Sequence, residues 1–215
     1  MKITLLCTDP HHPVNEYLKV WAKAQAGIHE VEIVQKKDYL KGGEMLFMVS
    51  CSDIVSAPER SKYITTLVLH ASDLPKGRGW SPHIWELANG ATHITLSLLE
   101  AEDKVDSGHI IKKVQIDVPK HALWNEINHL LFTAEVQLIE VAVQNVSRLS
   151  PEPQSNTEQA TYFPKRTPFD SQIDTNKSIA EQFDLIRVCD PYRFPAYFEY
   201  LGHRYILKIE KSNGQ

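Results

Sequence analysis

The chain has 215 residues, 42% hydrophobic and 23% charged, with 23 Lys and Arg against 27 Asp and Glu for a net charge of −4. This is the composition of a globular protein of one medium domain, with at most a short appendage, and it is long enough to bury a real core. The acidic balance excludes a nucleic-acid binder resting on a dominant basic surface, although a few local cations suffice for a pyrophosphate.

The three cysteines, Cys7, Cys51 and Cys189, are odd in number and far apart, so neither a disulfide framework nor a CxxC metal site is available. They read as buried free thiols of a reducing cytoplasm. No apolar run reaches signal-peptide or membrane-spanning length, so the expectation is a cytoplasmic protein without membrane insertion.

In chain order, Ile3–Cys7 reads as a short buried strand. Val14, Leu18, Trp21, Ala22 and Ala26 have helical spacing before the stop at Gly27. Val31–Val34, Met45–Val49 and Leu67–Leu69 are further apolar runs, the last ending at His70. Such continuous runs alternating with helices predict a mostly parallel sheet. Ser81-Pro82 opens a helix that stops at Asn89-Gly90, with Ser81 predicted as its N-cap. Thr92–Leu98 and Ile110–Val118 follow as strands. A long helix over 121–148 carries Leu123, Ile127, Leu130, Ala134, Leu138 and Val141 on one stripe.

Residues 1–150 are therefore expected to form the catalytic domain. Residues 151–176, with four prolines among polar residues, form an extended linker, and residues 177–215 a small appendage of one helix and one β-hairpin. The fold class is α/β, a Rossmann-like sheet with helices on both faces.

The chemistry concentrates in Leu67–Trp85, LVLHASDLPKGRGWSPHIW. His70 stands at the carboxyl end of a buried strand, where open parallel sheets place ligands. The following loop offers Gly77 and Gly79 for close backbone approach, Lys76 and Arg78 as cations, and a helix N-terminus, which together read as an anion cradle. Asp106 lies in the turn Val105-Asp106-Ser107-Gly108, from which an acid could orient a protonated His70. The ten histidines show no ligand spacing, so no metal is expected.

His70-Ala71-Ser72-Asp73-Leu74-Pro75, with Arg78-Gly79 behind it, resembles the H-x-S-x-LP-x-x-x-G segment of the folate-dependent formyltransferases. Asp106-Ser107-Gly108 is similar to their D-[ST]-G turn, and Tyr162–Arg166 with Asp170, Ile173, Asp174 and Asn176 to the linker of their longer members. The wording SDLPKGRGWSPHIW and the short length look most like the sugar N-formyltransferase branch, and within it like enzymes for UDP-linked 4-amino sugars of pseudaminic-acid-type pathways. One position departs: the Asn usual two residues before the His is Val68 here, and Ser72 and Asn125 are the nearby polar residues that could replace it.

The resemblance implies formyl transfer from 10-formyltetrahydrofolate to the amine of a nucleotide-linked amino sugar, for surface polysaccharide or glycan synthesis. His70 would stabilise the formyl oxygen and shuttle protons, and Asp106 would orient His70 and take a proton from the amine. It carries the folate slot onto Ser52, Asp53, Ile54 and Val55, and onto Glu102, Asp103 and Val105. Lys76, Arg78 and Trp80 become candidates for the pyrophosphate and base. Tyr192, Phe194, Tyr197, Phe198 and Tyr200 suggest a homodimer interface or packing.

Three alternatives stand beside this reading. A methionyl-tRNA formyltransferase would need an RNA-binding domain and more positive charge, and a glycinamide ribonucleotide formyltransferase would not need the linker and hairpin. A non-catalytic folate or nucleotide sensor is suggested by Val68 and opposed by the presence of His70 and Asp106.

Overall fold

The structure, a computed structural model, describes residues 1–212. Its centre is a six-stranded sheet ordered β2-β1-β3-β4-β6-β7. The first four of these strands, β1 (Lys2–Leu6), β2 (Glu30–Val34), β3 (Gly43–Val49) and β4 (Tyr63–His70), are parallel. β6 (His93–Glu100) runs antiparallel to β4, and β7 (Ile110–Asp117) antiparallel to β6. The inner strands β1 and β3 are buried along almost their whole length because both of their faces are covered, whereas β2 and β7 are edge strands and are less buried. The order reverses between β1 and β3, which opens a crevice beyond their carboxyl ends.

Helices cover the two faces unequally. α1 (Val14–Ala24), α3 (Pro82–Ala88) and α4 (Trp124–Gln144) bury Leu18, Leu87, Leu131 and Ile139 against Ile3, Leu5, Phe47 and Leu96 in the main core. The opposite face carries a smaller cluster of Leu6, Leu46, Met48, Val55 and Tyr63, bordered by the one-turn α2 (Ala57–Arg60). That thin cover leaves the face of β4 bearing Val68 and His70 within reach of ligands.

Three local expectations are corrected. Ser81 does not cap α3: its φ is +44° and its side chain makes no capping bond, because it is the turn residue that brings the chain out of β5 (Arg78–Gly79). α4 stops at Gln144 and finishes in a 3-10 turn over Val146–Arg148. Its buried stripe is also rotated. Leu131, Glu135, Leu138, Ile139 and Ala142 face the core, while Leu130, Ala134 and Val141 border a cleft of about 430 Å³ against β7.

The linker is not a free tether. Its strand β8 (Tyr162–Phe163) pairs in parallel with β5, and Glu152 exchanges two backbone hydrogen bonds with Ile110 at 2.7 and 2.8 Å. In the appendage, where the sequence reads as one helix over Lys177–Val188, α5 covers only Phe183–Arg187 and is preceded by a 3-10 turn over Ala180–Gln182. β9 (Ala196–Tyr200) and β10 (His203–Leu207) form the expected hairpin, turning at Leu201-Gly202 with φ of +51° and +79°. Arg187 fastens the appendage: fully buried, it bonds Asp184, the Pro119 carbonyl and the Ala91 carbonyl.

Candidate active site

His70 ends β4 opposite Ser97 of β6 and is buried. Its Nε2 lies 2.8 Å from the Gly77 carbonyl oxygen. A carbonyl can only accept, so Nε2 carries a hydrogen and donates it. Nδ1 faces Asp106 Oδ1 at 3.5 Å, near enough for charge pairing and too long for a good hydrogen bond. At 3.5 Å no atom fits between Nδ1 and Oδ1, so a substrate nitrogen would have to approach the pair from one side.

Asp106 is held by the loop after β4. Its Oδ2 accepts from the Gly79 amide at 2.9 Å, and its backbone is left-handed at φ +53°. Gly79 is itself at φ +96°, and a Cβ there would meet the Phe163 carbonyl oxygen at 2.5 Å, so the close approach of β5 to β8 requires glycine. Gly77, at φ +71°, would bring a Cβ within 2.8 Å of Ser72 Cβ. Ser72 thus backs the carbonyl that holds His70. It is fully buried, and its Oγ has no hydrogen-bond partner among the described residues.

The anion cradle expected from Gly77, Gly79 and the helix N-terminus is already filled. The Gly77 amide donates to Thr161 Oγ1, Arg78 to the Thr161 carbonyl, Trp80 to the Phe163 carbonyl, and Gly79 to Asp106. The anion this loop holds is the carboxylate of Asp106. Arg78 likewise is no free loop cation: it is buried, donating to Gln154 Oε1 at 2.5 Å and to the Tyr162 hydroxyl at 3.2 Å. Lys76 is exposed and pairs with Glu158 at 2.9 Å. Trp80 is partly exposed, with the Lys165 ammonium 4.9 Å from its ring centroid.

The residues expected to line a folate slot fall on two neighbouring loops. Val55 is core, whereas Ile54 is 63% exposed and Val105 47% exposed. Arg60 joins the loops, donating to the Val55 carbonyl and to Asp103 Oδ1, both at 2.6 Å. Ser52 hydrogen-bonds Thr8 across the crevice, and Asp53 and Glu102 are exposed. Val68, on the same side of β4 as His70, packs at the edge of the smaller cluster beside Cys51 and Ala101, so the wall between the loops is apolar. Asn125 is an exposed residue in the first turn of α4.

Several buried polar groups went unseen in the sequence. Burial, then repulsion from His70, His12 and Arg166, pushes the His83 imidazole down to about 3. Burial and Arg193 push His12 down to about 4, and burial alone raises Glu135 to about 8. His83 Nδ1, Asn15 Oδ1 and Glu135 Oε2 have no partners among the described residues. Burial raises Cys7 and Cys51 to about 11, so both stay thiols and neither is an activated nucleophile. Among the described residues no cluster of His, Cys, Asp and Glu could hold a metal, and no helix is long and apolar enough to cross a membrane.

No protein-family model matches the chain. Solved structures do. A methionyl-tRNA formyltransferase from Clostridium thermocellum superposes with a TM-score of 0.82 over 100% of this chain and 95% of that one, at 23% identity. The fold is that of the formyltransferases. A 4-N formyltransferase from Francisella tularensis gives 0.76 over 99% and 98% of the two chains, at 14% identity. HypX from Aquifex aeolicus, in complex with tetrahydrofolic acid, gives 0.76 at 17% identity, with this chain spanning 36% of it.

Proposed function

We propose that this protein transfers a formyl group from 10-formyltetrahydrofolate to the amino group of a nucleotide-linked amino sugar, UDP-linked by its motif wording, in surface-polysaccharide or glycan synthesis. The observation that carries the proposal is the His70–Asp106 pair at the end of β4, 3.5 Å apart, with His70 Nε2 fastened to the Gly77 carbonyl and Asp106 Oδ2 to the Gly79 amide.

Two apolar side chains left exposed on the loops that follow β3 and β6, Ile54 and Val105, would suit a flat aromatic ring system. Arg60 and Asp103 would hold those loops around it. Bound there, the folate supplies a formyl carbon attached to nitrogen and open to attack by an amine.

Asp106 Oδ1 accepts the proton that the amine loses as its new bond to carbon forms. His70, as imidazolium, stabilises the negative charge that develops on the formyl oxygen and then gives a proton to the departing nitrogen. The Gly77 carbonyl and the Gly79 amide keep both groups oriented meanwhile. The half-buried imidazole of His12 and the guanidinium of Arg193, paired with Asp9, lie by the loop after β1 and could offer N–H donors to an anionic acceptor. Exposed aromatic residues of the appendage, Tyr192, Tyr200 and Tyr205 among them, support a homodimer contact.

A second reading, formylation of methionyl-tRNA, is favoured by the neighbour of that name, which this chain spans almost completely. The net charge of −4 counts against an RNA acceptor. The test is tetrahydrofolate release from 10-formyltetrahydrofolate with a panel of UDP- and dTDP-linked amino sugars, with methionyl-tRNA and His70→Ala alongside. Turnover with one sugar, reduced about 100-fold or more in the variant, is the expected result. Folate binding without turnover on any amine would overturn transfer in favour of a sensor, and turnover only with the tRNA would replace the acceptor.

A further inference from the structure

We infer that Gln154, a residue of the linker, is the positioning residue for Asp106. The inference rests on the transferase reading for its catalytic consequence, and on geometry alone for the positioning.

Asp106 adopts a left-handed backbone conformation that costs a non-glycine residue free energy, so something must hold it. Gln154 reaches across from the linker to do so. Its Nε2 donates to the Asp106 carbonyl oxygen at 2.8 Å and to the Gly108 carbonyl oxygen at 2.9 Å. Its Oε1 accepts from Arg78 Nη2 at 2.5 Å. Both amide hydrogens and the amide oxygen are therefore committed. The reverse orientation would put oxygen against two carbonyls and an NH2 against a guanidinium, so the neighbours fix which end is which.

The clamp is anchored on both sides. Glu152, two residues upstream, is pinned to Ile110 by paired backbone bonds, and Arg78 sits between Gln154 and Tyr162 on the strand that pairs with β8. The backbone of the Asp106 turn is thus gripped by Gln154, while its carboxylate is gripped by the Gly79 amide. Release of either grip lets the turn relax and widens the distance to His70. On this account the linker completes the active site.

Gln154→Glu separates positioning from packing, because it keeps the acceptor for Arg78 but removes both donors to the turn. Gln154→Met, of similar length and with no donors or acceptor, is the second variant. Two readouts apply to the full chain. Residue-resolved amide exchange reports Gly79, whose N–H depends on Asp106, against Arg78 and Trp80, whose N–H groups are held by the linker backbone. Steady-state kinetics split kcat from KM.

The expected result in Gln154→Glu is a loss of Gly79 protection of about tenfold or more, with Arg78 and Trp80 unchanged. With two turn-holding bonds removed, kcat should fall about tenfold or more with little change in KM. Unchanged Gly79 protection in both variants overturns the inference, as does loss of protection at all three amides together, which is general loosening. Selective loss at Gly79, with wild-type protein inactive on every amine, upholds the positioning and overturns only the transferase reading.

Discussion

Replacing Glu135 by Gln should remove a loss of stability that the wild-type protein suffers as pH rises above about 6.5. Glu135 is 4% exposed on the core side of α4, its Oε2 has no partner among the described residues, and burial alone raises its carboxyl from 4.5 to about 8. In the folded protein it therefore keeps its proton up to about pH 8, whereas the unfolded chain releases it from about 4.5. Between those limits the native state binds one more proton than the unfolded state. The contribution is fully present below pH 4.5 and is lost as pH rises through 8, at about 1.4 kcal/mol per pH unit.

His12 and His83 act in the opposite direction. Their folded values lie below the ordinary 6.5, so their contribution is present above pH 6.5 and is lost as pH falls toward 4 and 3. Two histidines outweigh one glutamate below pH 6.5, and above it the glutamate acts alone, so wild-type stability should crest near pH 6.5. Gln copies the shape of the protonated acid and titrates nowhere. The stability difference between variant and wild type should therefore grow by about 4 kcal/mol from pH 5 to pH 8. Urea midpoints measured across that range read it directly, whatever constant offset the amide introduces. Parallel curves for the two proteins would refute the assignment of a buried, proton-holding carboxyl at this position.

Two further substitutions test how the site is supported. A Cβ on Gly108 would lie 1.9 Å from the Glu100 carbonyl oxygen, so Gly108→Ala must displace either the end of β6 or the turn carrying Asp106. It should cost about 2 kcal/mol or more in thermal unfolding and lower turnover with it; a variant of wild-type stability and activity would refute that close contact. Arg187→Met removes the fully buried donor shared by Asp184 and the carbonyls of Ala91 and Pro119, and should cost about 2 kcal/mol. Limited proteolysis should then cut ahead of α5 faster than in wild type; unchanged cleavage would show that Arg187 does not fasten the appendage.

What was legible in the sequence was what depends on local periodicity. The apolar runs gave β1 to β4, the 3.6-residue spacing gave α1 and α4, and Gly202-His203 marked the hairpin, one residue beyond its observed turn at Leu201-Gly202. His70 was also legible, because a polar residue closing an apolar strand stands out, and the turn at Asp106 brought a carboxylate to it. The missed features depend on contacts between distant segments. Nothing in Pro151–Asn176 announces that Gln154 and Thr161 will meet the loops of residues 106 and 77, since polar, proline-rich composition reads the same whether a segment is solvated or docked. Glu135 was hidden for a related reason. A stripe drawn through Leu130, Ala134 and Val141 fits the sequence as well as one through Leu131, Leu138 and Ile139, and only packing against the sheet decides between them.

That hidden layer explains why Arg78 and the glycine loop looked like a phosphate site. Backbone amides, a guanidinium and glycines at positive φ are what an anion needs, and the same set serves an internal anion equally well. Here the loop presents its Gly79 amide to Asp106, and Arg78 is spent holding the Gln154 that holds Asp106. Beyond the end of β1 Arg193 is likewise paired, with Asp9, and the imidazole of His12 is uncharged near neutral pH, so under the proposed function these groups would meet an anionic acceptor as N–H donors rather than as free charge. Under the proposed function the Arg78–Gln154 network would serve the positioning of Asp106 and leave acceptor recognition to other residues.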